Sequence, residues 1–197
     1  MPRVAGQIDK RKSEAILEAA ATLFAERGAA VSMDEIARQA GVSKQTLYNR
    51  FPSKVDIGRA LAERRSADIT APLRSDGDPL TVLTAYARTM LDKVCNAAKG
   101  ESLRGVALMS PTAPELAQAI YDSGPGESLR RLSAWLAEQD RKGLLDVPEP
   151  DLAAEMFTGM VLGHGHLRAL LGLPHPETAF QHRAAEAARR FLKAFAT

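Results

Sequence analysis

The stretch that most constrains the fold is VSMDEIARQAGVSKQTLYNRF, residues 31–51. Ser32, with Glu35 three positions on, has the form of a capping box, and Asp34 adds acid to the same first turn. Ile36 and Ala40 give that helix a buried side, and Gly41 ends it after about two turns. Val42 and Ser43 then form the connection, with Ser43 placed to cap a second short helix from Lys44 to about Arg50. Two short helices joined through Gly-Val-Ser make a helix-turn-helix, over about residues 32–51, in which the second helix lies in the DNA major groove. That second helix is not built for packing. Lys44, Gln45, Thr46, Tyr48, Asn49 and Arg50 hang from only two apolar anchors, Val42 and Leu47. Donors and acceptors in such a row suit base edges and phosphates.

The flanks agree. Ile16, Leu17, Ala20, Leu23 and Phe24 form an apolar stripe at helical spacing, so a first helix is predicted over about 10–27, with Gly28 just past its end. Phe51 closes the small core and Pro52 stops the chain's helical run. Ser53 and Asp56 read as a second capping box opening a fourth helix. Lys54 sits in the first turn of that helix, where a cation opposes the dipole, and this suggests a phosphate nearby. The competing reading is a small helical bundle with a solvated polar face. Two capping boxes, a glycine turn and a donor-rich helix in this order weigh against it.

Charge points the same way. Residues 1–65 hold 12 Lys+Arg against 8 Asp+Glu, whereas residues 66–197 hold 14 against 16. The basic excess lies with the helix-turn-helix part and implies a polyanionic partner. Aromatics are 5% of the chain and alanine and leucine abound, a balance that favours helices over strands. Cys95 is the single cysteine, so no disulfide framework is possible and a reducing cytoplasm is the expected setting. MPRVAGQIDKRK has no apolar core of the kind a signal peptide needs, and no apolar run is long enough for a membrane span.

AILEAAATLFAERG followed by SMDEIARQAGVSKQTLYNRFPSK resembles the DNA-binding domain of TetR-type transcriptional regulators. The resemblance covers about residues 10–60, with Phe24, Gly28, Ile36, Ala37, Gly41, Val42, Ser43, Thr46, Leu47, Tyr48, Phe51 and Lys54 in register. It implies that Thr46, Tyr48 and Lys54 hold phosphates, that Lys44, Gln45 and Asn49 face the bases, and that Ser32 touches the DNA backbone. Ser43 belongs to the same set, and Arg50, where such proteins often carry histidine or another polar residue, is assigned to phosphate.

Beyond Leu61 the fourth helix is expected to reach about Ala71, where Pro72 breaks it, and SDGDP (75–79) reads as a linker. Further helices are predicted from Pro79, then at about 101–109, 114–122, 127–142, 150–171 and 176–195. The expected architecture is all-α with about nine helices: a DNA-binding domain over 1–60 and a second helical domain over 61–197. In DLAAEMFTGMVLGHGHLRALLG, apolar residues and glycines cover most of the circumference, and Gly159 and Gly163 leave one ridge bare. Phe180, Ala184, Ala188 and Phe191 give the last helix a wide apolar face. One reading is an internal helix pair. The other, which the resemblance favours, is a homodimer interface containing Met156, Gly159, Gly163, Leu167, Phe180, Ala184, Ala188 and Phe191. Paired heads would then read palindromic half-sites on an operator.

The middle helices carry Tyr86, Met90, Met109, Tyr121, Trp135, Phe157 and Met160. Singly, such residues are ordinary core. Together, with His164 added, they suit an adaptable pocket with a few polar groups, and the resemblance implies a small apolar or aromatic effector there. An enzyme is not indicated. Cys95 has no visible activating base, and the HGH pair at His164 and His166 points two ways on a helix. No nucleophile elbow, P-loop or dinucleotide fingerprint occurs, so no cofactor, metal or catalytic residue is expected. The function expected is a dimeric repressor released by its ligand; a ligand-independent regulator or an activator is the alternative.

Overall fold

The computed structural model describes residues 5–95, 110–171, 173 and 179–196, with side chains from residue 10 onward. All regular structure among them is helical. The ten α-helices are α1 (Ala5–Arg27), α2 (Met33–Gln39), α3 (Lys44–Tyr48), α4 (Lys54–Thr70), α5 (Pro79–Cys95), α6 (Pro114–Ser123), α7 (Pro125–Arg141), α8 (Pro150–Leu162), α9 (Gly165–Leu170) and α10 (Phe180–Ala194). Single 3-10 turns follow α1 and α4. The helix expected at 101–109, and Met109 with it, lies outside the described residues.

Two cores organise these helices. The smaller one buries Ile16, Ala20, Leu23 and Phe24 of α1 against Ile36 and Ala37 of α2, Leu47 of α3 and Ile57 of α4. Val42 and Phe51 pack on it from the edge. The larger one joins α5, α7, α8 and α10 around Tyr86, Leu91, Leu132, Trp135, Phe157, Phe180 and Phe191. Its aromatic spine is explicit: the Phe157 and Phe191 rings meet edge-on at 4.9 Å, and Tyr86 lies 6.2 Å from Phe157. Such pairs add roughly 0.5–1.5 kcal/mol beyond the area they bury.

α4 belongs to both. Ile57 near its start is in the small core and Ile69 near its end is in the large one. Gly58 makes the crossing close, because a Cβ there would come within 2.5 Å of Leu116 Cδ1 on α6. Farther along α4 the contact turns polar. The Ser128 hydroxyl donates to Ser66 Oγ at 3.0 Å, and Arg131 donates to Thr70 Oγ1 at 3.1 Å.

The helix expected over 150–171 is broken. At Gly163 the backbone takes φ +45° and ψ −127°, a conformation L side chains avoid, and α8 ends there. Arg183 of α10 reaches over the break, with Nε donating to Val161 O at 2.5 Å and Nη2 to Met160 O at 3.4 Å. A Cβ on Gly163 would overlap that guanidinium. Gly163 therefore ends a helix and leaves room for Arg183, which is not the bare packing ridge its spacing suggested.

Burial also corrects the expected interface. Phe180, Ala184, Ala188 and Phe191 are buried within the single chain, packed in the large core, with α10 lying along α5. They are covered already. Among the described residues beyond 150, the large apolar side chains left exposed are Leu152, Met156 and Met160 of α8, then Leu167, Leu171 and Leu173. Met156 is 54% exposed where Phe191 is 1%. Leu152, Met156 and Met160 repeat every four residues along one face of α8, a spacing readable in the sequence once the face is known to be solvent-side.

Candidate nucleic-acid interface

The helix-turn-helix is set up by short-range bonds. Glu35 N donates to Ser32 Oγ at 3.2 Å and Ser32 N donates to a Glu35 carboxylate oxygen at 2.9 Å, completing the capping box. Those bonds, with Arg27 against the same carboxylate, hold the Glu35 carboxyl at about 2, far below its ordinary 4.5. Gly41 adopts φ +64°, the left-handed turn that swings the chain from α2 to α3. Ser43 Oγ accepts from Thr46 N at 3.1 Å, so α3 starts where its cap dictates. Ser53 caps α4 by accepting from Asp56 N at 3.2 Å, but its hydroxyl also donates to the Asp56 carboxylate at 2.7 Å. The second box is thus closed through the side chain, because Asp is one methylene shorter than Glu. That contact lowers the Asp56 pKa.

α3 presents its polar residues outward. Leu47 is fully buried beneath it, while Lys44, Gln45, Tyr48 and Asn49 are exposed. Several of these side chains have partners within the protein. Lys44 Nζ pairs with Asp34 of α2. Gln45 Nε2 donates to Asn49 Oδ1 at 2.7 Å, and the Ser43 and Thr46 hydroxyls lie 2.9 Å apart. Arg50 Nη1 donates to Ser13 Oγ of α1 at 2.9 Å. Lys54 Nζ donates to the Ala29 carbonyl at 2.8 Å, so its place in the first turn of α4 has a local reason besides phosphate. Ser32 is exposed at the start of α2. Asp34 supplies acid to the first turn of α2 as expected, but its pairing with Lys44, ten residues away, carries no periodic signal in the sequence.

The residues expected to line a pocket divide. Tyr86, Met90, Trp135 and Phe157 come together in the large core. Tyr121, Met160 and His164 do not join them, because all three are exposed on the surface. His164 precedes α9 at the broken helix, so His164 and His166 do not sit on one continuous helix as expected. Among the core group, Tyr86 Oη and Thr158 Oγ1 are buried polar atoms without a hydrogen bond of good geometry. Burial pushes the Tyr86 phenol well above the usual tyrosine range, with the Thr158 hydroxyl pulling weakly the other way. Thr158 was absent from the expected lining. Two surface grooves, of about 560 and 340 Å3, lie at α4 with α6 and at α8 with α10, and neither is lined by the Tyr86 cluster. Cys95 is buried and its thiol is pushed up by that burial, which keeps it protonated at neutral pH. Among the described residues no cluster of His, Cys, Asp or Glu is placed to hold a metal, and no helix is long and apolar enough to cross a membrane.

Comparison with known proteins fits this arrangement. Residues 16–61 match the family described as bacterial regulatory proteins, tetR family, and residues 81–197 match the C-terminal domain of AefR-like transcriptional repressors. The solved structure of the flavonoid-responsive regulator FrrA is 33% identical, with a TM-score of 0.70, covering 95% of this chain and 98% of that one. An uncharacterised HTH-type transcriptional regulator of Mycobacterium tuberculosis is 32% identical over 123 residues, 62% of this chain and 61% of that protein. The chain thus spans about three fifths of that curated relative's length. The HTH-type transcriptional repressor KstR2 of the same organism is 47% identical over 58 residues, 29% of this chain and 28% of KstR2. A capped helix-turn-helix with an outward polar α3, on a helical body matched over residues 81–197, identifies this chain as a member of the TetR family of DNA-binding transcriptional regulators.

Proposed function

We propose that the chain acts in the cytoplasm as a homodimeric repressor that leaves its operator when a small, largely apolar ligand enters the second domain. The observation that carries this reading is α4, with Ile57 in one core and Ile69 in the other. Any change in the large core reaches the DNA-binding head through one rigid helix, so the division into a head (1–60) and a body (61–197) falls inside the element that couples them. Thr46, Tyr48, Arg50 and Lys54 would hold phosphates, with Ser32 and Ser43 beside them, and Lys44, Gln45 and Asn49 would read base edges. The intramolecular bonds of Lys44, Gln45 and Lys54 would be exchanged for DNA contacts on binding.

The body supplies the rest. Tyr86 and Thr158 offer two buried hydroxyls among Met90, Trp135 and Phe157, which suits a ligand with an aromatic body and a polar edge. Flavonoids, the class named for the relative FrrA, are the first compounds to screen. The exposed face of Leu152, Met156, Met160, Leu167 and Leu171 is the surface for the second copy. Two heads would then meet two half-sites of a palindrome.

The test uses an operator selected from random duplexes. Flavonoids and other planar aromatics are screened by thermal shift, and operator affinity is measured with and without a hit. A ligand releases DNA only by binding the incompetent arrangement more tightly, and coupling of about 1–3 kcal/mol lowers operator affinity roughly 5- to 150-fold. Operator must weaken the ligand by the same factor. A ligand that binds yet leaves operator affinity unchanged would rule out induction through this site.

A further inference from the structure

The positive charge of the head is not where the helix-turn-helix is. Residues 13–65 hold eight Lys or Arg against seven Asp or Glu, a surplus of one. Residues 1–12 hold Arg3, Lys10, Arg11 and Lys12 against Asp9 alone, a surplus of three. Half of the surplus of four in residues 1–65 therefore precedes the segment matched to the family, which begins at residue 16: residues 1–15 hold four Lys or Arg against Asp9 and Glu14.

Of the charged residues in 1–12, α1 carries Asp9, Lys10, Arg11 and Lys12. It starts at Ala5, whereas its apolar stripe predicted a start near residue 10, and Ile16 is the first buried side chain among those described. Residues 10–15 of α1 are exposed or half-buried. Lys10, Arg11 and Lys12 are all exposed there, and among the described residues none of them forms an ion pair. Position supplies the last link. Ser13 accepts the 2.9 Å hydrogen bond from Arg50, the residue just past α3, and Lys10 lies one turn back on the same side of α1. Lys10 is thus held beside the end of the recognition helix.

We propose that Lys10, Arg11 and Lys12 form a second DNA contact, outside the helix-turn-helix, that grips backbone phosphates next to those met by α3. It rests on the DNA-binding assignment and adds a site to it. Its chemistry is that of phosphate neutralisation, so it strengthens binding to every sequence and selects none.

The test replaces all three with glutamine in the full-length chain, which keeps helix propensity and removes only charge. Affinity for a selected operator duplex and for a random-sequence duplex is measured across a salt series. Every phosphate that is no longer neutralised lowers the slope of log affinity against log salt by about 0.9, so a fall of roughly two to three per head is expected. Affinity for both duplexes should drop by the same factor, leaving operator preference intact. Lys10→Arg with Lys12→Arg, which keeps the charge, should keep the wild-type slope, and circular dichroism checks that each variant is folded. A folded glutamine variant with the wild-type slope and affinity overturns the proposal. A wild-type protein that shows no salt-dependent binding to DNA would instead defeat the DNA-binding reading itself.

Discussion

The head and the body of this protein are held together over different distances in sequence. In the head, the bonds that start helices link Ser32 to Glu35, Ser43 to Thr46 and Ser53 to Asp56, each three residues apart. In the body, Ser66 meets Ser128 and Thr70 meets Arg131 across 62 and 61 positions, and Tyr86 packs near Phe157. Local bonds leave a spelling in the sequence. Distant ones leave only composition, because any apolar helix could face any other.

The largest effect should come from breaking the body. Phe191 is buried with its ring edge-on to Phe157 and 4.7 Å from Phe195. Phe191→Ala should cost about 3–5 kcal/mol. Thermal unfolding then asks how separate the two cores are. If α4 couples them, near-UV and far-UV signals fall together at one lower midpoint; a head that melts at its wild-type temperature would show two independent units.

Next comes the face the body leaves open. Met156→Glu with Met160→Glu places charge on exposed α8 without touching the core. The expected result is a folded monomer in sedimentation at a concentration where the wild type is a dimer. A double variant that remains dimeric would move the interface elsewhere. Gly163→Leu, the substitution that spacing alone would suggest, is a poor probe, since it strains the backbone and collides with Arg183 whatever the oligomeric state.

A smaller effect belongs to the joint. Gly58→Ala puts a methyl against the Leu116 side chain, and a forced shift of this kind costs roughly 1–3 kcal/mol. Its value lies in which property moves. If α4 is the lever, operator affinity and ligand response should change by more than stability alone explains, and an unchanged operator affinity would confine Gly58 to packing.

These differences mark what the sequence could say. Caps, the Gly41 turn, the outward row on α3 and the start of α4 follow from residue type and spacing, and the structure has each where expected. Phe180, Ala184, Ala188 and Phe191 show the opposite case. Their wide apolar face was visible, but whether it met α5 or a second chain depended on a fold the periodicity does not encode. Tyr121 and Met160 failed as pocket residues for the same reason. The break at Gly163 was hidden because a glycine within an apolar run reads equally as a packing notch or a helix end, and Arg183, far along the chain on α10, decided it.

The finest test separates local from distant bonds by pH. Glu35 is held at about 2 by Ser32 and Arg27, against an ordinary 4.5. A carboxylate with a depressed pKa contributes stability that is complete above its unfolded value and is lost as pH falls towards its folded one. The window is therefore about pH 4.5 down to 2. Glu35→Gln keeps the reach to Ser32 N, so it removes the charge and leaves the shape of the box. Its melting midpoint should lie below that of the wild type by a constant amount from about pH 7 to about 5, and the gap should close below about pH 4.5 as the wild type gains its proton. Asp56, Glu127 and Glu186 also have lowered pKa values, but they titrate in both proteins and cancel in the difference. A gap that stays constant down to about pH 2 would mean that the Glu35 charge adds nothing to the cap, and that the capping box holds α2 by its neutral hydrogen bonds alone.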